Sequence, residues 1–256
     1  MKRVAALYRY PVKGFGPERC EALEVLPHGG VAGDRVLGFR FADAATPDDA
    51  WGSKFEFVAL VNTPALARLD LKLSNGKLRI ADLVEDDLSA EGRKRIAAAL
   101  QEYVLDLDVN PLADHPERLP IRLVGDGVTP RYQDRNTDEL TLHGRASLAA
   151  AAASAGTPEL DEVRFRSNVA VEGLDAWAEQ RWDGKRVFIG GVAFRFERPK
   201  GRCLATHANP RTGERDLPLM QTLLAAYRSE KPTFAISLRA QGQGGTIRLG
   251  DEVRIE

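Results

Sequence analysis

Short stretches in which apolar and polar positions alternate, broken by glycine and proline, run along most of this chain and favour strands over long helices. Residues 4–10, 22–26, 36–41 and 55–62 read as strands, with Pro11, Gly14, Gly16 and Pro17 turning the chain between the first two. Residues 69–73 and 77–80 flank Asn75-Gly76, a pair that tolerates the positive φ angles of a tight hairpin turn. A helix begins at Ser89, a capping residue, and carries Ile96, Leu100, Tyr103 and Val104 at helical spacing.

The segment 110–120 holds three prolines and little periodicity, and a domain boundary is expected near residue 118. Beyond it, residues 121–124, 163–171, 186–197, 234–239 and 246–255 read as strands, with Gly190-Gly191 as a second hairpin turn. The alanine run 146–155 predicts a helix that packs closely on its neighbours, and residues 217–228 predict another, with Leu219, Leu223, Leu224 and Tyr227 on one face. The expectation is a mixed α/β, β-rich fold: two β-barrel-like units, residues 1–118 and 119–256, with a few helices.

Composition narrows the function classes. Hydrophobic residues at 43% and charged residues at 29% suit a globular protein, and a net charge of −1 offers no global field for nucleic acid or an acidic membrane. Any recognition of anions must therefore be local. The longest apolar run is far short of the roughly 20 residues a membrane span needs, and the opening residues lack a signal-peptide pattern. A cytoplasmic protein acting on a small molecule is expected.

The loop 199–216 is the strongest candidate for chemistry. Cys203 follows Arg202 and lies near Lys200, a positive field that favours thiolate, and thiolates are soft metal ligands. Three other readings stand beside this one. A free cysteine is commonly a small buried hydrophobe. Cys203 and His207 have zinc-like spacing, yet Cys20, His28, His115 and His143 supply no companion pair for a four-ligand site. A cysteine nucleophile with His207 as base needs a geometry that spacing alone does not provide.

The order of several motifs adds a resemblance. Tyr10-Pro11-Val12-Lys13 followed by Gly33-Asp34-Arg35 resembles the opening of the MOSC N-terminal β-barrel domain. Tyr132-Gln133-Asp134, Ala146-Ser147-Leu148, Arg164-Phe165-Arg166-Ser167-Asn168, Arg202-Cys203, Pro210-Arg211-Thr212-Gly213 and Gly250-Asp251-Glu252-Val253 follow in the order of the MOSC domain. Each motif is weak singly; the ordered set covers essentially the whole chain. Two-domain members of this kind resemble the mitochondrial amidoxime-reducing component and its bacterial relatives.

The resemblance implies a molybdenum cofactor (Mo-molybdopterin) whose metal is ligated by Cys203, with Asp134 close to the metal. Lys13, Gly14, Arg35, Arg166, Asn168 and Arg202 would hold the pterin and its phosphate, a role suited to the charge-assisted donors among them. Gly14 departs from the family, which commonly has serine there, so a hydroxyl donor is missing. The implied activity is an oxidoreductase that reduces N-hydroxylated or N-oxide small molecules with electrons from a separate reductase. The alternative is a carrier that binds the cofactor or sulfur without turnover.

Overall fold

The computed structural model describes all residues except His28, Asp138, Arg228 and Ser229. Strand β1 (Arg3–Arg9) buries Val4, Ala6 and Leu7, and β2 (Glu18–Cys20) folds back on it antiparallel, setting Leu7 opposite Cys20. β3 (Ala22–Val25) and β4 (Gly38–Arg40) follow. β5 (Leu71–Ser74), β6 (Lys77–Ile80) and β7 (Val84–Asp87) form an antiparallel sheet whose first turn places Asn75 at φ 52° and Gly76 at φ 71°. Helix α1 (Ala90–Leu105) is capped by the Ser89 hydroxyl, which accepts from the Gly92 amide at 3.1 Å, and it buries Ile96, Leu100 and Val104.

The second half contributes β8 (Arg122–Val124), β9 (Leu140–Gly144), α2 (Arg145–Ser154), β10 (Val169–Glu172), β11 (Arg186–Ile189) and β12 (Val192–Gly201). It ends with α3 (Leu219–Tyr227), β13 (Thr233–Ala240), β14 (Gly245–Arg248) and β15 (Val253–Ile255). The eight-stranded main sheet has the order β15-β11-β12-β13-β9-β10-β1-β2, with β9 and β10 parallel and the other pairs antiparallel. Its inner face packs Leu7, Leu142, Val169, Phe194 and Ile236 together with Leu23 and Ile247 of the β3–β14 pair, and each such side chain removed from water contributes about 2 kcal/mol. On its other side α2 and α3 meet through Ala151, Ala152, Leu219 and Leu223 around Phe165, Trp177 and Phe234. The short alanine side chains let the second helix and the aromatic rings approach closely.

The expectation of barrel-like units needs correction. Among the described residues no sheet closes into a barrel: the main sheet ends at β15 on one edge and β2 on the other, each three residues long. The nearest approach to closure is a single bridge between Arg3 and Glu252, with the Val4 and Asp251 backbones bonded at 2.9 Å. Residues 250–251 turn before they can extend this bridge into a ladder.

Strand pairing also runs across residue 118. β1 from the first half sits inside the main sheet beside β10, β3 pairs with β14, and β8 returns to pair with β4. Residues 55–62 form no strand: Lys54–Glu56 make a short 3-10 turn and Phe57 makes only a single bridge, to Arg40. There the Asn62 amide accepts from the Ala59 N–H and donates to the Phe57 carbonyl, both at 2.9 Å, and turns the chain. Arg228, the expected end of the last helix, and His28 lie outside the described residues. Among the described residues no helix is long and apolar enough to cross a membrane.

Candidate functional site

The reading of 199–216 as an irregular loop misses how Cys203 is delivered. β12 continues to Gly201, pairing Pro199 with Ile236 and Gly201 with Thr233 through two register shifts that bend the strand. The Arg202 amide then donates to the Pro232 carbonyl at 2.8 Å, which carries the sheet edge one residue further. Cys203 follows in extended conformation (φ −136°) and opens the short turn Leu204–His207. Its thiol is free and partly exposed, and it lines two cavities, one of about 290 Å³ and one of about 50 Å³.

The smaller cavity gathers Lys13, Gly14, Arg35, Asp134 and Arg166 with Cys203. Arg35 and Arg166 both hold a left-handed backbone, at φ 53° and 52°, which costs a non-glycine residue about 1 kcal/mol each. The surroundings fix both. The Arg35 amide donates to the Tyr10 carbonyl at 2.6 Å, and its own carbonyl accepts from the Tyr132 amide at 3.0 Å. The two guanidinium groups lie 5.1 and 4.5 Å from the centre of the buried Tyr10 ring, and Arg166 also donates to the Phe15 carbonyl. Arg35 is ion-paired with buried Asp34.

Lys13 is 3% exposed, donates to the Tyr132 carbonyl at 2.9 Å, and stands 3.6 Å from an Asp134 oxygen. Burial lowers the Lys13 ammonium below its ordinary range against the pull of Asp134. Partial desolvation would raise the Asp134 carboxyl, whose side chain is 62% exposed, but Lys13, Lys200, Arg35 and Arg166 outweigh it and hold the group well below the usual carboxylate range. Asp134 is therefore a carboxylate that opens into both cavities.

Arg202 lines the larger cavity while its guanidinium donates to the Phe165 carbonyl at 2.8 Å and the Phe234 carbonyl at 2.7 Å. Burial lowers Arg202 and Arg166 each to about 10, and Arg35 contributes to both shifts by repulsion. Lys200 is lowered to about 8, chiefly by burial, with Asp134 opposing and Arg202 adding to the shift. Five basic groups thus gather around Asp134, with Asp34 on Arg35 and Glu139 near Lys200, and the excess positive charge is one that an incoming anion relieves.

Asn168 is the expected site residue that lines neither cavity. Its amide oxygen accepts from the Thr141 hydroxyl at 2.9 Å, and its NH2 donates to the Tyr8 carbonyl and to Asp34, each at 3.2 Å. It positions Asp34, which holds Arg35. His207 accepts the Met220 amide at 3.2 Å near the start of α3, and Cys20 sits at the other end of the main sheet. Two residues were not foreseen. Tyr10 lies in a quoted motif, but its role as a plate between two arginines needs the tertiary fold. Trp51 lines the larger cavity from a loop with no periodic signal.

Among the described residues no three His, Cys, Asp or Glu side chains converge to hold a metal ion. The profile of the MOSC N-terminal beta barrel domain matches residues 1–114, and that of the MOSC domain matches residues 130–254. The chain belongs to the MOSC family. Among curated proteins this MOSC chain is similar to human mitochondrial amidoxime reducing component 2, at 33% identity over 99 residues, which is 35% of this chain and 29% of that protein. It is also 33% identical over 93 residues to the molybdenum cofactor sulfurase of Caenorhabditis briggsae, which is 36% of this chain and 13% of that protein. The matched stretches are thus less than a third of either relative. Of solved structures, the YUAD protein from Bacillus subtilis aligns over 100% of this chain and 96% of its own at 13% identity, with a TM-score of 0.45.

Proposed function

We propose that this MOSC protein binds a molybdenum cofactor through Cys203 and reduces N-hydroxylated or N-oxide small molecules, with electrons supplied by a separate reductase. The observation that carries the reading is the shared cavity in which Lys13, Arg35, Arg166 and Asp134 meet Cys203. The residues fit such a group: the thiol is accessible, and the lowered basicity of Arg166 and Arg202 reflects buried positive charge that a phosphate and a dithiolene would offset. A bound molybdenum would supply two-electron chemistry suited to removing oxygen from a substrate nitrogen.

The chain's own groups bind and orient. Cys203 would be the protein ligand to the metal. Lys13, Arg35 and Arg166 would hold the phosphate, and Arg202, its plane fixed by bonds to two carbonyls, would support the pterin. Gly14 offers backbone only, and Asn168 acts through Asp34. Asp134 keeps an ionised carboxylate in the cavities that Cys203 lines, an acceptor that would orient a substrate N–H or O–H. A cytoplasmic setting with neither nucleic acid nor membrane as partner is part of the same reading.

The sulfurase relative supports a second reading, a carrier that holds the cofactor or sulfur without turnover. Protein from a host that makes the cofactor, supplied with a reductase and benzamidoxime, separates the two. Benzamidine formation that Cys203→Ser reduces at least about a hundredfold fits an enzyme, in line with the loss usual for a group essential to the reaction. A cofactor-loaded protein that turns over no N-hydroxylated compound is the carrier.

A further inference from the structure

The larger cavity has walls to which the proposed function assigns no role. Trp51, Lys54, Arg135 and Lys200 line it beside Cys203 in a volume of about 290 Å³. Trp51 is a fixed plate: its indole N–H donates to the Gln133 carbonyl at 2.9 Å. The loop that carries it is pinned from within by fully buried Arg40, which donates to the Thr46 carbonyl at 3.1 Å and the Ala50 carbonyl at 3.0 Å. The basic groups are poorly neutralised. Among the described residues neither Lys54 nor Arg135 has a carboxylate partner, and Lys54 only covers the Phe55 ring at 5.3 Å. Lys200 stands 3.9 Å from Glu139, a carboxylate already bound by Arg198. Among the described residues Asp134 is the one acidic residue lining the cavity, and Lys13 stands 3.6 Å from it.

A flat aromatic wall with excess positive charge disfavours a cationic ligand and leaves a neutral one without a partner for that charge. We infer that the outer cavity is a receptor for a flat anionic molecule, so that the preferred N-hydroxylated substrate carries a carboxylate, met by Arg135 and Lys200 with its ring against Trp51. The substrate class rests on the oxidoreductase reading; the receptor itself rests on the cavity.

The test compares 4-carboxybenzamidoxime with neutral benzamidoxime on the molybdenum-loaded full chain, by calorimetric titration and by reduction assay. The carboxylate compound is expected to bind about tenfold more tightly, the scale of one charge-assisted hydrogen bond. Arg135→Gln and Lys200→Gln should each bring the two affinities to within about threefold, and Trp51→Leu should weaken both compounds alike. Arg135 is exposed, so its variant keeps the fold even where the others fail. Equal affinities, or a preference that survives both cation variants, overturn the receptor. If both compounds are reduced with equal KM, the oxidoreductase reading stands and the receptor falls. If neither is reduced but the variant-sensitive preference remains, the receptor stands and the oxidoreductase reading falls.

Discussion

Gly14 stands where the family resemblance leads one to expect serine, and its surroundings leave no room for one. Its φ is +84°, and a Cβ would lie 2.6 Å from the Ala59 Cα, so neither backbone nor neighbour leaves room for a side chain. Gly14→Ser is expected to destabilise the fold by about 2 kcal/mol, read from urea midpoints, rather than restore a hydroxyl to the site. An unchanged midpoint would mean that the turn relaxes freely. Lys200 gives the site a pH signature. With its ammonium lowered to about 8, it is charged at pH 7 and largely neutral at pH 9. The groups facing it, Asp134, Arg202, Glu139 and Arg35, keep their charge across that window. Sulfate, which does not itself titrate there, should bind more weakly as pH rises through about 8, and Lys200→Gln should flatten the profile. An unaltered profile in the variant would remove Lys200 from the anion site.

At the scale of elements, one buried cluster ties β1 to β9 and α2. Glu162 accepts from the Tyr8 hydroxyl at 2.6 Å and from Arg145 at 3.1 Å, and the His143 ring nitrogen lies 3.5 Å away. Burial alone would raise Glu162, but His143, Arg145 and Tyr8 lower it to about 2. A carboxyl depressed in the folded state stabilises above its unfolded value, about 4.3, and loses that contribution as pH falls towards about 2. Glu162→Gln should therefore cost on the order of 2–3 kcal/mol near pH 7, and the gap to the native protein should close between about pH 4.5 and 2. A pH-independent gap would assign the loss to packing instead.

The elements differ in how plainly their residues announce them. Helix α1 and the Asn75-Gly76 hairpin are written in local capping and turn chemistry, and both form as the sequence predicts. β9 is silent in the pattern because all five of its residues, Leu140 to Gly144, are buried, so no alternation marks it. β7 is hidden for the opposite reason: Glu85, Asp86 and Asp87 make it polar, and only pairing with β6 fixes it. In the site, the basic residues and Cys203 could be named from ordered motifs. That Asn168 works through Asp34, and that Trp51 walls the outer cavity, depends on contacts across 134 and 82 positions of sequence that no local pattern carries.

Across the whole molecule, the site exists only because the two halves interlock. Lys13, Gly14 and Arg35 come from the N-terminal part; Asp134, Arg166, Arg202 and Cys203 come from the MOSC domain; the insertion of β1 beside β10 brings them together. If this junction holds molybdenum through one thiol, the molybdenum and pterin content of the full chain reports it directly, measured on protein purified from a host that makes the cofactor, beside Cys203→Ser with an unchanged melting profile. The prediction is molybdenum and pterin in comparable amounts approaching one per chain, with the metal lost from the serine variant. Protein free of both, or a Cys203→Ser variant that retains its molybdenum, would contradict it.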